Sequence, residues 1–203
     1  MSDTLNHDIL WKFIEVALHA TLYYRRLYPK EIFVKKILYG TNVNFCKHPE
    51  VLEYIHNIVE TLKALFYGNK ASFKSLNFVC YDVNNIVIEK YIFFLKQSCL
   101  CRPKKTEDFF RSLYLRLSMI LNGISPLPSQ ASFIVYILTN QKAYAILQNT
   151  SVYCDFPWLL FNHHELIKRG SLLPIEYIKA HYMILKIYAV QNKDTLLKVV
   201  YKY

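Results

Sequence analysis

Two adjacent runs of β-branched and aromatic residues constrain the fold more than any other feature of this sequence. They cover residues 76–81 and 86–95, and a turn-forming tetrapeptide at 82–85 separates them. Runs of this kind, bounded by turn residues, are typical of a β-hairpin. A third run of the same character, at 132–139, follows a loop that prolines interrupt. The chain is therefore expected to contain an antiparallel sheet.

Three other segments have helical periodicity. The first is expected over residues 8–28 and should end at Tyr28-Pro29, because a residue before proline is pushed out of the helical region. The second begins at Pro49, a residue that suits the first turn of a helix, and the third begins at Thr106, a frequent N-cap type. Together these elements predict the α+β class, with three helices packed on an antiparallel β-sheet.

Residues 140–203 have mixed periodicity. Strand-like pieces occur at 150–154 and 196–201. A helix opened by Pro174 would place five apolar or aromatic side chains on one face: Ile175, Ile178, Tyr182, Leu185 and Tyr188. No Pro-, Gly- or Ser-rich linker sets this segment apart, so a single domain is expected over residues 1–203.

Composition excludes several classes of protein. A hydrophobic fraction of 53%, with 17 Tyr and 13 Phe, excludes a disordered chain. The longest charge-free stretch, residues 117–141, contains Pro126 and Pro128, so no membrane span is expected. Acidic residues near the N-terminus argue against a secretory signal. The cysteines are five, an odd number, which favours reduced thiols in the nucleus or cytosol.

The chain is basic, with 25 Lys and Arg against 15 Asp and Glu and a formal net charge of +10. A positive field favours encounters with nucleic acid or acidic proteins but does not determine fold. The basic residues form small groups without a base-reading motif. A protein that works beside DNA within a complex is therefore favoured, and a basic nucleic-acid-binding module is the alternative.

Signals for catalysis and metal binding are weak. The sequence contains no Gly-rich phosphate loop, nucleophile-elbow serine or zinc-protease motif, so no enzymatic activity and no cofactor are expected. Its Cys and His residues occur at spacings that are too short for a structural zinc site, so no metal is expected: Cys46 and His48, Cys99 and Cys101, His163 and His164.

Trp158 is the most informative single residue. It follows Phe156-Pro157, where the proline restricts the backbone. One interpretation is a tryptophan of the core. The other is an aromatic wall of a groove for a partner's prolines or aliphatic side chains, because large rigid aromatic residues anchor interfaces.

Five stretches, in this order over about residues 10–190, carry a resemblance to a known family: FIEVALHATLYYRRLYP (13–29), HPEVLEYI (48–55), IEKYIF (88–93), DFPWLL (155–160) and LLPIEYI (172–178). The sequence resembles the HORMA-domain family, and within it the accessory subunits of translesion DNA polymerase zeta. The resemblance implies a core at about residues 1–139 and a C-terminal "safety belt" at about 140–203. It also implies that residues 175–188 are largely extended, and we adopt that expectation over the helix.

The function that this resemblance implies is that of an adaptor without catalysis in translesion DNA synthesis. The belt would trap an extended, proline-containing peptide of the catalytic subunit of polymerase zeta. The positions that would hold the peptide match Tyr54, Pro157 and Trp158. Trapping of this kind would act mainly by slowing dissociation, since the belt must open before the peptide can leave.

The resemblance implies two further surfaces. Positions that contact the C-terminal domain of the Rev-one scaffold polymerase match Leu172, Lys186 and Tyr188. Positions used in HORMA homo- or heterodimers match Arg111, Arg116 and Asn122. Lys186 stands where animal members usually have glutamine, and Asn122 replaces a small apolar residue.

The remaining implications concern partners and location. An AAA+ remodelling ATPase would be a further partner, DNA would be contacted only through the complex, and no membrane would be involved. The protein would act in the nucleus, with the cytoplasm as a second compartment. A HORMA adaptor of the mitotic checkpoint or of double-strand-break end protection is the alternative within the family.

Overall fold

The computed structural model of the protein describes residues 2–68, 73–97, 106–149, 156, 158–159, 170–180 and 183–192. The chain forms two compact units. A helical unit contains residues 1–72, 103–124 and 141–158, and a sheet unit contains residues 73–102, 125–140 and 159–203. The predicted belt therefore contributes residues to both units.

Among its described residues, the helical unit contains four α-helices: α1 (Ser2–Tyr24), α2 (Pro49–Gly68), α3 (Thr106–Gly123) and α4 (Gln141–Gln148). It also contains a two-stranded hairpin of β1 (Phe33–Leu38) and β2 (Thr41–Cys46), preceded by a 3-10 turn at Lys30–Ile32. The predicted starts of α2 and α3 are confirmed. The short helix α4 was not predicted.

The first helix ends earlier than the sequence indicates. Arg26 has a positive φ of 54°, and its N–H donates to the carbonyl of Tyr23. The N–H of Leu27 donates to the carbonyl of Leu22 at 3.1 Å. This pair of hydrogen bonds is a Schellman motif, which closes the helix one turn before the proline. The prediction that Tyr28-Pro29 ends the helix is therefore wrong.

A two-residue turn joins β1 to β2. Leu38 pairs with Thr41, and the turn residues Tyr39 and Gly40 have φ values of 52° and 65°. Two consecutive positive φ values are typical of a type I′ turn, whose twist matches that of the flanking strands. The sequence indicates only a short extended segment at residues 43–46, which lies within β2.

The sheet unit contains one five-stranded antiparallel sheet. Its strands are β3 (Phe73–Tyr81), β4 (Val87–Gln97), β5 (Ser132–Thr139), β6 (Gly170–Ala180) and β7 (Met183–Asn192), in the order β5-β3-β4-β7-β6. The predicted hairpin of β3 and β4 is confirmed. Asp82 closes its turn by accepting hydrogen bonds from the N–H groups of Asn84 and Ile86, both at 2.9 Å.

The C-terminal hairpin is extended, so the helical interpretation of residues 175–188 is wrong and the family-based expectation is confirmed. In β7 the residues Leu185, Ile187 and Ala189 are buried at period two, as a strand requires. Pro174 lies in the edge strand β6 beside a register shift, where a residue without an N–H is tolerated. The strand-like pieces at 150–154 and 196–201 lie outside the described residues.

Helices in one unit and an antiparallel sheet in the other confirm the α+β class. Cys46 and Cys80 are buried thiols, in accordance with the expectation of reduced cysteines. No helix among the described residues is both long enough and apolar enough to cross a membrane.

Candidate functional site

Three aromatic rings meet in the helical unit. Tyr54 of α2 lies 5.8 Å from Phe156, and Phe156 lies 5.4 Å from Trp158, measured between ring centroids. Both pairs are edge-to-face, with interplanar angles of 69° and 82°. We call these three residues the aromatic cluster. The two described residues of the predicted peptide site, Tyr54 and Trp158, thus belong to one cluster.

Hydrogen bonds from two helices hold Trp158. Its indole Nε1–H donates to Oγ1 of Thr61 on α2 at 3.0 Å. Its backbone carbonyl accepts a hydrogen bond from the hydroxyl of Tyr144 on α4 at 3.4 Å. The hydroxyl group of Thr61 in turn donates a hydrogen bond to the carbonyl of Asn57 at 2.8 Å. The indole is therefore held at its polar edge.

The aromatic cluster has the chemistry of a site for an apolar, rigid ligand. Tyr54, Phe156 and Trp158 are each half-buried, so parts of their rings remain accessible. Edge-to-face rings present apolar faces in several directions, and such faces receive prolines and aliphatic side chains with little loss of side-chain entropy. Pro157, the third predicted residue of this site, lies outside the described residues.

The residues predicted to bind the scaffold polymerase share one face of the β6–β7 hairpin. Residues directly opposite each other in an antiparallel pair lie on the same side of the sheet. Leu172 pairs with Val190, Tyr188 with Pro174, and Lys186 with Tyr177. The side chain of Leu172 is 59% exposed. The three predicted positions thus form one continuous surface.

Tyr177 is part of that surface and was not predicted. It is exposed, and the ammonium of Lys186 lies 5.1 Å from the centroid of its ring. A cation–π contact of this kind holds the lysine stem along the sheet. Lys186, which stands at the position where glutamine is expected, therefore contacts Tyr177 of the same chain.

The residues predicted for HORMA dimers lie on the outer side of α3. At 3.6 residues per turn, Arg111 and Asn122 fall at nearly the same angle, and Arg116 lies about 140° away. Between them the helix exposes two apolar side chains, Leu115 at 45% and Met119 at 73%. The predicted positions therefore border an exposed apolar stripe.

Arg111 also has a contact within the chain. Its Nε donates to the carbonyl of Tyr39 at 2.7 Å, and its Nη1 lies 3.8 Å from Oδ1 of Asp108. The guanidinium thus joins α3 to the turn between β1 and β2. The sequence did not indicate this role, because the two positions are far apart along the chain.

Several known proteins are similar to this chain in sequence. "Mitotic spindle assembly checkpoint protein MAD2B" of Homo sapiens is 27% identical over 192 residues, which cover 91% of this chain and 90% of that protein. "DNA polymerase zeta subunit 2" of Drosophila melanogaster is 26% identical over 184 residues, covering 86% and 92%. "DNA polymerase zeta processivity subunit" of Schizosaccharomyces pombe is 43% identical over 54 residues, covering 27% and 25%. No family model matches the chain.

Solved structures match over most of the chain. A chain in the crystal structure of the mitotic checkpoint complex superposes with a TM-score of 0.74 at 17% identity, covering 91% of this chain and 97% of that one. Caenorhabditis elegans HTP-2, solved bound to the HIM-3 closure motif, gives 0.68 at 13% identity, covering 90% and 88%. This chain has the fold of the HORMA-domain family. The sequence similarities confirm its resemblance to the polymerase zeta accessory branch of that family.

Three residues at the aromatic cluster were not predicted as site residues. Phe156 belongs to the DFPWLL stretch, which could have indicated it. Thr61 lies inside a helix and carries no sequence signal of its own. Tyr144 lies in α4, a helix too short to give clear periodicity.

Within the described residues, no group of three or more His, Cys, Asp or Glu side chains is placed to hold a metal ion. The buried Glu89 accepts a hydrogen bond from the hydroxyl of Tyr91 at 2.9 Å.

Proposed function

We propose that this HORMA protein is a non-catalytic adaptor subunit of DNA polymerase zeta. In this role it captures an extended, proline-containing peptide of the catalytic subunit and bridges it to the Rev-one scaffold polymerase during translesion DNA synthesis. The names of the similar proteins support the coarser statement, an adaptor of polymerase zeta. The capture and the bridge are our inference from the residues.

The aromatic cluster is the observation that supports peptide capture. Tyr54, Phe156 and Trp158 form a half-buried set of rings, and Trp158 has its polar edge satisfied by Thr61. Its remaining surface is apolar, so it can contact a proline ring without leaving an indole N–H unpaired. The solved neighbour HTP-2, which is bound to a closure motif, offers a precedent for peptide binding by this fold.

Slow release is the expected consequence of capture. The described chain after the cluster includes the β6–β7 hairpin, and β7 is paired along β4 from Gln97 to Glu89. If residues 140–203 act as a belt over the peptide, these strand hydrogen bonds must break before release. Affinity would then reside mainly in the dissociation rate.

The bridge to the scaffold polymerase is assigned to the face of β6–β7 that carries Leu172, Lys186 and Tyr188. Exposed leucine and tyrosine next to a lysine stem match the composition of interface centres with polar rims. The stripe between Arg111 and Asn122 would serve HORMA dimers, and an AAA+ ATPase would open the belt. In this proposal the protein works in the nucleus and reaches DNA only through the complex.

The test uses synthetic peptides that tile the catalytic subunit of polymerase zeta from the same organism. The tightest peptide is titrated into the full chain and its dissociation rate is measured. Trp158→Ala is expected to weaken binding by about 2–4 kcal/mol, or about 30- to 1000-fold, because it removes a hot-spot aromatic.

The matched control is Leu159→Ala. Leu159 is the next residue and is 89% exposed, so its truncation should change the affinity by less than about threefold. Circular dichroism must show that both variants are folded. Unchanged binding by Trp158→Ala, or no binding of any tiled peptide by the wild type, would contradict the proposed function.

A second role remains open because the similar vertebrate proteins are named as mitotic checkpoint proteins. In that case the same cluster would capture a peptide of a checkpoint or end-protection partner. Mass spectrometry of partners that depend on Trp158 separates the two roles. Recovery of the polymerase zeta catalytic subunit favours the first.

A further inference from the structure

Thr61 forms hydrogen bonds to both the backbone of α2 and the side chain of Trp158. Its hydroxyl donates to the carbonyl of Asn57 at 2.8 Å, a bond within the helix. Because that bond uses the only hydroxyl proton, the oxygen presents its lone pairs as an acceptor. The indole Nε1–H of Trp158 occupies that acceptor at 3.0 Å. The direction of the indole is therefore set by the helix.

Thr61 is rigid as well as available as a hydrogen-bond acceptor. Its side chain is fully buried, with 0% exposure. A β-branched residue in a helix has few χ1 rotamers, and the bond to Asn57 selects one of them. The acceptor therefore has one position before any ligand arrives. An indole that bonds to it has lost most of its freedom in advance.

The segment around Trp158 has two contacts along one face of α2. Tyr54 and Thr61 lie about two helical turns apart and on the same side. Phe156 packs against the first, and Trp158 bonds to the second. From the other side, Tyr144 of α4 donates to the backbone of Trp158. The orientation of the indole is thus determined inside the helical unit.

We propose that Thr61 is a positioning residue for peptide capture. It holds the indole of Trp158 in the orientation that receives the peptide. The inference depends on the proposed function, in which Trp158 contacts the peptide. Without the hydroxyl, the ring would regain rotational freedom, and the bound peptide would dissociate faster.

The experiment compares two substitutions at one position in the full-length chain. Thr61→Val removes the hydroxyl and keeps the shape of the side chain, whereas Thr61→Ser keeps the hydroxyl. The dissociation rate of the tightest tiled peptide is measured for both. We expect a rise of about five- to tenfold for valine, the value of one ordinary hydrogen bond, and a rise of less than about twofold for serine.

A spectroscopic readout separates positioning from general stability. The protein has two tryptophans, and each indole N–H gives one amide-type NMR signal. The signal of Trp158 should shift and exchange faster with water in Thr61→Val, and should keep its wild-type position in Thr61→Ser. Trp11, whose N–H donates to the Tyr67 hydroxyl at 2.8 Å, is the internal control and should not change.

The possible outcomes are distinct. A wild-type dissociation rate in Thr61→Val would overturn the inference, as would equal acceleration by valine and serine, which would indicate packing. Both results leave peptide capture by Trp158 intact. If the wild type captures no tiled peptide, the proposed function fails and the inference fails with it. Tyr144→Phe, which removes the other hydrogen bond, should accelerate dissociation by less than valine, since its 3.4 Å bond is the longer one.

Discussion

His19 is a buried histidine of α1 that the proposed function does not use. Its ring lies 3.9 Å from the ring of Phe45, and its Nδ1 accepts a hydrogen bond from the N–H of Cys46 at 3.4 Å. Among the described residues, no partner is present for its Nε2. Burial, together with the positive charges of Lys12 and Lys36, lowers the pKa of His19 to about 3. His19 is therefore neutral in the folded protein at physiological pH.

This residue predicts a loss of stability in mild acid. The unfolded chain binds a proton at His19 below about pH 6.5, and the folded protein does not until about pH 3. The free energy of unfolding should therefore fall as the pH drops through this window, by about 1.4 kcal/mol per pH unit below 6.5. Urea unfolding at pH 7.5 and pH 5.5 measures this difference.

For each variant, the free energy of unfolding at one pH value is compared with that of the same variant at the other pH value. His19→Gln should lose about 1.4 kcal/mol less than the wild type between the two pH values. His56→Gln, which changes an exposed histidine of α2, should behave as the wild type does. If His19→Gln and the wild type have the same pH dependence, the buried neutral state of His19 is not what makes folding sensitive to acid.

At the scale of single residues, the sequence indicated which residues belong to the candidate site better than it indicated which residues they contact. The resemblance indicated Tyr54 and Trp158, and the structure brings both into one cluster through Phe156. Thr61 could not be predicted, because most threonines in helices have no functional role. Its role depends on a tertiary hydrogen bond between positions 61 and 158.

Among the elements, the β1–β2 hairpin depends on one glycine. Gly40 has a φ of 65°, and a Cβ added there would clash with Nη2 of Arg111. Arg111 cannot move away freely, because its Nε donates to the carbonyl of Tyr39 at 2.7 Å. A side chain at position 40 would therefore have to displace the guanidinium of Arg111.

Gly40→Ala is therefore expected to destabilise the protein by about 1–3 kcal/mol. About 1–2 kcal/mol comes from the left-handed backbone conformation, and the remainder comes from displacement of Arg111. In an Arg111→Ala background the penalty should fall by roughly 0.5–1.5 kcal/mol. Denaturant unfolding of the four proteins of this double-mutant cycle measures both values.

Gly123→Ala is the matched control for the glycine substitution. A Cβ at position 123 would meet no atom within 4 Å. Its effect should stay within about 0.5 kcal/mol. If the penalty of Gly40→Ala is the same with and without Arg111, the contact between the turn and α3 does not contribute.

The elements differ in how well periodicity predicts them. The strand β5 was predicted at 132–139 with the observed bounds, because its β-branched run is bounded by turn residues. The C-terminal hairpin was not predicted from periodicity, because Ile175, Leu185 and Tyr188 also match a helical spacing. The pairing of β7 with β4, which is a long-range contact, makes this segment a strand. The local pattern alone could not distinguish a strand from a helix.

For the whole molecule, the α+β class followed from the change of period between the helical segments and residues 76–95. The division into two compact units could not be predicted from the sequence, because each unit is assembled from three separate stretches of the chain. No composition shift marks those boundaries. The resemblance supplied what periodicity lacked, namely the extended C-terminal segment and the positions of the proposed binding residues.

The two proposed binding surfaces belong to different units, which predicts that they can be separated by mutation. Trp158 lies in the helical unit, and Tyr188 lies in the sheet unit. Trp158→Ala should lose the tiled peptide and still bind the C-terminal domain of the Rev-one scaffold polymerase. Tyr188→Ala should weaken binding of that domain by at least about tenfold and leave peptide affinity within about twofold.

Calorimetric titration of each variant with each partner gives the four affinities of this test. An adaptor that bridges two partners must hold both at once, so the wild type should form a ternary complex by size-exclusion chromatography, and each single variant should form only one binary complex. Loss of both partners in a folded Tyr188→Ala variant would mean that the β6–β7 hairpin also controls peptide capture. In that case the two surfaces would act as one coupled site, since a single substitution would then change both binding free energies.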